Sequence, residues 1–142
     1  HGNGTQKLFY KDKNILFIDL HRANFYPHTG MIEEIGEGDG LGYTMNIPLE
    51  KGVDESVYIK HFESAIIPAL KNFDPGWIMV SCGFDAHIED PFGGMKLNST
   101  SYGRFHQLLK LLNKPMTYIL EGGYNADAIK SSITAIRLQD LV

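Results

Sequence analysis

Trp77-Ile78-Met79-Val80-Ser81 leads straight into Cys82-Gly83-Phe84-Asp85-Ala86-His87, and this stretch decides the fold. The first five residues read as a short buried strand. A second stretch repeats the arrangement: Met116 to Leu120 reads as a strand, and Glu121-Gly122-Gly123-Tyr124-Asn125 follows it. In open parallel sheets, ligands bind just beyond the carboxyl ends of the strands. Both loops occupy such positions, and each sets a reactive side chain beside glycines that let the backbone pass close to a ligand. A carboxylate at one strand end and a phenol at the other suit a metal ligand and an electrophilic stabiliser. Asp85 also suits a turn and Tyr124 a packed aromatic, so spacing alone leaves both readings open.

Working outward, Ile15 to Leu20 reads as another buried strand. A long irregular stretch from His21 to Gly42 follows, with glycines at 30, 36, 38, 40 and 42. Loops of that length without periodicity are usually functional or mobile. Tyr43 to Leu49 reads as a strand ended by Gly52. Asp54 is a plausible N-cap for a helix with Tyr58, Phe62, Ala65, Ile66, Ala69 and Phe73 on one face, which kinks or begins a new turn at Pro68. Ser99 or Thr100 can cap a helix striped by Phe105, Leu108, Leu109 and Leu112. Ala126 to about Leu141 reads as the last helix, with Ile129, Ile133 and Ile136 spaced for burial. Alternating strands and helices predict an α/β fold, with a mainly parallel sheet flanked by helices and right-handed crossovers.

The 142 residues are enough for one domain with a real core. A hydrophobic content of 43% and a charged content of 21% are ordinary for a globular chain. A net charge of -4 gives no electrostatic case for direct nucleic-acid binding. No apolar run approaches the roughly 20 residues that span a bilayer, so no membrane role is expected. The single cysteine, Cys82, excludes a disulfide within the chain and suits a reducing compartment. The opening His1-Gly2-Asn3-Gly4-Thr5-Gln6 has the polar, Gly-rich character of an interior segment, so the start is expected to be a cut.

The stretches HGNGTQ (1–6), FYPHTG (25–30), GFDAHIEDPFGG (83–94) and LEGGYN (120–125), in this order, resemble the zinc deacetylases that include the histone deacetylases and the acetylpolyamine amidohydrolases. The similarity covers essentially the whole chain and is nearest to the class II branch. It implies an arginase/deacetylase-like fold, of which residues 1–142 form the C-terminal part of a single catalytic domain. It implies that Asp85 is a zinc ligand and that Tyr124 polarises the scissile amide carbonyl. It places Gly122 and Gly123 at the pocket wall, Tyr26 along the acyl-lysine tunnel where Phe is common, and Phe92 at a variable rim position. In some relatives a glutamate at that rim goes with polyamine selectivity.

The resemblance also carries departures. The family's other two zinc ligands lie just before HGNG, and its tandem histidines further upstream, so this chain alone is expected to be inactive. His1 matches the second histidine of a pair, not the ligand before it. Structural potassium sites are implied as well. Asp19 and Leu20 match part of the site nearer the zinc, although a Ser-Leu pair is usual there. Phe9, Asp12, Ile15 and Tyr43 match the second site, mostly through backbone oxygens. The alternative for these residues is plain strand and turn roles.

The expected function is zinc-dependent hydrolysis of the acetyl amide of acetyl-lysine in proteins. The alternatives are an acetylpolyamine deacetylase and a non-catalytic acyl-binding fragment. An unrelated nucleotide-binding domain is disfavoured, because the glycine run at 38–42 precedes a strand instead of following one and opening a helix. His21, His28, His61, His87 and His106 are read as solvated or core residues without metal-ligand spacing. Cys82 is read as a small buried residue. The expected location is cytoplasmic, or nuclear in a eukaryote, and the sequence leaves the oligomeric state open.

Overall fold

The structure, a computed structural model, describes residues 1–141. They divide into two units, His1–Lys51 and Gly52–Val142.

The first unit contains helix α1 (Asn3–Phe9) and strands β1 (Phe17–Arg22) and β2 (Thr44–Leu49). The strands pair in parallel, from Phe17 opposite Thr44 to Arg22 opposite Leu49. The polar opening, to which the sequence assigns no element, forms helix α1. Gly2 stands at its N-cap without a side-chain cap, and Gln6 is its buried residue. A buried glutamine needs partners, and Gln6 donates from Nε2 to the Glu34 carboxylate. β1 starts later than expected because Asp12 holds a turn: its Oδ1 accepts from the Asn14 N–H at 2.8 Å. The stretch between β1 and β2 is irregular apart from a 3-10 turn at Gly38–Gly40. Gly40 is required there, since an added Cβ would lie 2.7 Å from the Tyr10 carbonyl oxygen.

The second unit contains α2 (Glu55–His61), α3 (Ile67–Phe73), β3 (Ile78–Cys82), α4 (Ser99–Lys110), β4 (Met116–Leu120) and α5 (Ala126–Leu138). The helix expected from Asp54 to Phe73 is interrupted by a π turn at Phe62–Ile66. Pro68 cannot donate to the carbonyl one turn back. The wider turn falls immediately before it, so the break lies upstream of the proline. The cap of α4 is Asn98, one residue before the expected Ser99, in a reciprocal capping box with Ser101.

β3 and β4 pair in parallel from Ile78 opposite Met116 to Cys82 opposite Leu120. Near the start of this pairing the Trp77 indole donates to the Thr117 hydroxyl at 3.1 Å. α4 and α5 lie close together at Gly103, where an added Cβ would meet the Ala135 carbonyl oxygen at 2.9 Å. Phe84, Leu97, Tyr102, Leu109, Ala128 and Ile136 are buried in this unit. The parallel α/β expectation is met, with the strands forming two separate pairs among the described residues.

Candidate active site

Because β3 and β4 are parallel, their carboxyl ends share one edge, and the loops carrying Asp85 and Tyr124 leave from it together. The ladder extends past both strands. Glu121 N–H donates to the Cys82 carbonyl at 3.2 Å, and Phe84 N–H donates to that of Gly122 at 2.7 Å. This extension fixes the register of the two loops before either reactive side chain is reached.

Phe84 anchors its loop in the core at 3% exposure, with its ring 4.9 Å from that of Tyr102. The carboxylate of the next residue, Asp85, lies over two bare α-carbons. A Cβ on Gly122 would come within 2.8 Å of Oδ2, and one on Gly83 within 3.1 Å of Oδ1. Gly123 has φ +127, and a Cβ there would meet Phe84 at 3.0 Å. The two glycines read as pocket wall thus also give Asp85 its space and let the Tyr124 loop cross Phe84. Behind the site, burial first and the Asp85 charge second raise the pKa of the Tyr58 phenol above its ordinary value. Burial pushes the Cys82 thiol up to about 12, so it is no nucleophile near neutral pH.

Asp90 holds the two loops to each other. Its Oδ1 accepts from the N–H groups of Phe92 and Gly93 at 2.9 and 3.1 Å, and its Oδ2 accepts from Tyr124 N–H at 2.8 Å. Asn125 adds a second tie. Its amide donates to the Glu89 carbonyl at 3.1 Å, while its Oδ1 caps α5. Above these ties the Phe92 and Tyr124 rings meet edge to face at 5.1 Å. Both rings remain more than 60% exposed, at 62% and 63%. Sequence reading missed Asp90 and Asn125. Their signals were present in an Asp-Pro-x-Gly turn and in an Asn one residue ahead of a helix.

In the first unit Tyr26 is 79% exposed, beside Phe25, whose ring lies 4.1 Å from the Arg22 guanidinium carbon. Phe9 ends α1, Asp12 and Ile15 follow it, and Tyr43 stands just before β2. The Phe9 carbonyl accepts from Asp12 N–H at 3.0 Å, the Asp12 carbonyl from Ile15 N–H at 3.5 Å, and the Tyr43 carbonyl from Phe17 N–H at 2.9 Å. Leu20 pairs with Ile47 in the ladder. Asp19 meets two imidazole rings and a backbone N–H. Its Oδ2 lies 3.3 Å from His1 Nδ1 and 3.2 Å from His21 Nδ1, and it accepts from Gly2 N–H at 3.1 Å. Burial works to raise its pKa, but the His21 ring and the Gly2 N–H outweigh it and hold the carboxyl below its ordinary value. This cluster escaped the sequence reading, although Asp19-x-His21 within a strand puts both side chains on one face.

A family described as the histone deacetylase domain matches residues 1–139. The chain belongs to the histone deacetylase family. Histone deacetylase 15 of Arabidopsis thaliana is 42% identical over 141 residues, which is 96% of this chain and 26% of that protein. The crystal structure of an HDA15 HD domain superposes with a TM-score of 0.95 at 41% identity, covering 99% of this chain and 42% of that one. An acetylpolyamine aminohydrolase from Burkholderia pseudomallei gives a TM-score of 0.91 at 30% identity, covering 98% and 41%. The chain therefore has the deacetylase fold and spans less than half of either solved relative. Among its described residues no helix is long and apolar enough to cross a membrane.

Proposed function

We propose that this chain contributes Asp85 and Tyr124 to a zinc-dependent site that hydrolyses the acetyl amide of acetyl-lysine in proteins. The observation that carries the reading is the shared edge of β3 and β4, which holds both residues in one register. Asp85 fits a zinc ligand, since its carboxylate is given room by Gly83 and Gly122, and no described residue donates a hydrogen bond to it. When bound, zinc supplies a Lewis acid for the acetyl carbonyl and lowers the pKa of the attacking water.

The remaining chemistry belongs to the chain. Tyr124 donates its phenol hydrogen to the oxygen on which charge develops. Asp90 fixes the Tyr124 backbone, and the Phe92 edge limits where the ring can swing. Tyr26 would line the acyl-lysine passage. Phe92 offers a phenyl ring where a carboxylate would draw in a polyamine's ammonium groups, so acetyl-lysine is favoured over an acetylated polyamine.

A catalytic zinc takes three protein ligands as a rule, and Asp85 belongs to no group of three metal-binding side chains among the described residues. The 142-residue chain alone is accordingly expected to be inactive. Potassium held by the backbone oxygens around Phe9, Asp12, Ile15 and Tyr43 belongs to the same reading. The Asp19 carboxylate, faced by imidazole nitrogens, does not fit. A cytoplasmic location, or a nuclear one in a eukaryote, goes with this reading.

The test is made in the complete protein. Tyr124→Phe keeps its zinc and loses turnover by about 10²–10³-fold, as expected for one oxyanion donor. Asp85→Ala loses both zinc and turnover. Zinc content by elemental analysis and hydrolysis of an acetyl-lysine peptide are the two readouts. Full activity in Tyr124→Phe, or retained zinc in Asp85→Ala, would leave a non-catalytic acyl-binding role as the better account.

A further inference from the structure

We infer that His1, Asp19 and His21 form a binding site for a divalent transition ion of the zinc or cobalt type, separate from the Asp85 site. The inference does not rest on the deacetylase reading. It rests on a ligand set built within the first unit.

Asp19 and His21 are two apart on β1, and His1 arrives from the residues ahead of α1. One donor atom from each lies within 4.8 Å of the others. The two nitrogen–oxygen separations, 3.3 and 3.2 Å, are near the ~3.3 Å spanned by ligands about 2.0–2.1 Å from a tetrahedral zinc. The side chains of His1 and His21 are 8% and 6% exposed, so both imidazoles are withdrawn from water.

The hydrogen bonds around the rings fit the same reading. His1 Nε2 lies 2.7 Å from the Thr29 carbonyl oxygen. A carbonyl only accepts, so Nε2 carries the hydrogen. In the neutral ring Nδ1 then presents a lone pair to the Asp19 carboxylate. Lone pair against carboxylate is repulsive unless a positive charge lies between them. A histidine that binds metal through one nitrogen and donates to a backbone carbonyl through the other is the usual arrangement. His21 Nδ1 is buried and has no hydrogen-bond partner, although it stands 3.2 Å from Asp19 Oδ2. It too is a nitrogen aimed at the same point without a good hydrogen bond to account for it.

The site is held rigidly. The two rings stack with centroids 4.1 Å apart. Gly30, at φ +76, closes over them. A Cβ there would fall 2.6 Å from His21 Cε1 and 2.7 Å from His1 Nε2. Gly2 N–H fixes the carboxylate from another side. Two imidazoles and one carboxylate suit borderline ions and not potassium or magnesium, which favour all-oxygen shells. Three protein ligands leave a fourth tetrahedral position for water.

The experiment uses the 142-residue chain with its N-terminus acetylated, so that the α-amino group and the His1 ring cannot chelate together. The chain is stripped with chelator and titrated with cobalt(II). One equivalent is expected to give the intense visible bands of a four-coordinate ion, with zinc displacing it. Asp19→Asn and His21→Ala each weaken uptake by about 100-fold or more, with far-UV circular dichroism unchanged. Asp85→Ala leaves uptake unaltered. No cobalt bands from a folded chain would mean that a proton bridges the carboxylate and the rings, and would overturn the proposal. Uptake that survives both Asp19→Asn and His21→Ala, or vanishes in Asp85→Ala, would overturn it equally.

Discussion

Asp19 and Asp85 are both aspartates tied to parallel strands, yet their surroundings differ in kind. Asp19 lies inside β1, with two imidazoles and a backbone N–H directed at one of its oxygens. Asp85 lies beyond β3, above two glycines, and among the described residues nothing donates to it. One carboxylate has its partners supplied by its own neighbourhood. The other has only space. A ligand set made by adjacent strand positions and a nearby loop can exist in a short stretch of chain. One assembled at a sheet edge needs contributions from separate strands, and a single strand pair provides a share of it.

Gly30→Ala attacks the first aspartate through its rings. The added methyl meets both imidazoles and forces a side chain into a positive φ, costing about 2–4 kcal/mol of stability. Urea unfolding of the 142-residue chain measures it. A loss under about 0.5 kcal/mol, no more than an ordinary surface change, would mean the rings are loosely held. Gly122→Ala attacks the second aspartate. Its Cβ crowds Oδ2, so zinc affinity of the complete protein should fall by roughly 10–100-fold, the cost of disturbing a ligand's support. Competition with a chelating dye reads this, and unchanged affinity would show that the carboxylate turns away freely.

Asp90→Asn tests the tie between the two strand-end loops. One oxygen can still accept, but the charge is lost and an amide hydrogen can face the Tyr124 N–H. The expected cost is about 1 kcal/mol, read by thermal unfolding, with a larger relative loss in turnover than in substrate binding. The smallest effect concerns pH. His106 Nε2 lies 2.9 Å from Asp140 Oδ1, and this bond holds the Asp140 carboxyl below its ordinary value. A lowered folded pKa stabilises above the unfolded value, about 3.9 for Asp, and the gain is lost as pH falls through the folded value. Because Asp140 is largely exposed, the gain at neutral pH is a few tenths of a kcal/mol. Asp140→Asn should lose that much at pH 7, and the gap should close below about pH 4. A gap that persisted at lower pH would assign the effect to packing.

The parallel strands at 78–82 and 116–120 were legible because apolar runs bounded by loops leave little else to read. Asp85 and Tyr124 were legible as strand-end residues, and their roles came from the motifs around them. Helix α1 was not legible. Gly2 and Gly4 argue against a helix, and no apolar stripe marks one. What orders it is Gln6, buried and bonded to a glutamate twenty-eight residues away. The Asp19 cluster was hidden for a related reason. His21 looks isolated in the chain, and only the loop at Thr29 and Gly30 shows that it is packed against His1. The π turn before Pro68 was half legible: proline announces a break, but not which turn absorbs it.

Trp77 is the single tryptophan of the chain, and its indole N–H reaches across to Thr117 on the neighbouring strand. Intrinsic fluorescence excited at the indole therefore comes from one place, the start of the strand pair that ends at Asp85 and Tyr124. Opening that pair hands the indole hydrogen to water and changes the emission, while events in the His1–Lys51 unit contribute no indole signal of their own. The protein thus carries a built-in optical probe of its second unit, and comparing it with circular dichroism during unfolding would show whether the two units melt together or in turn.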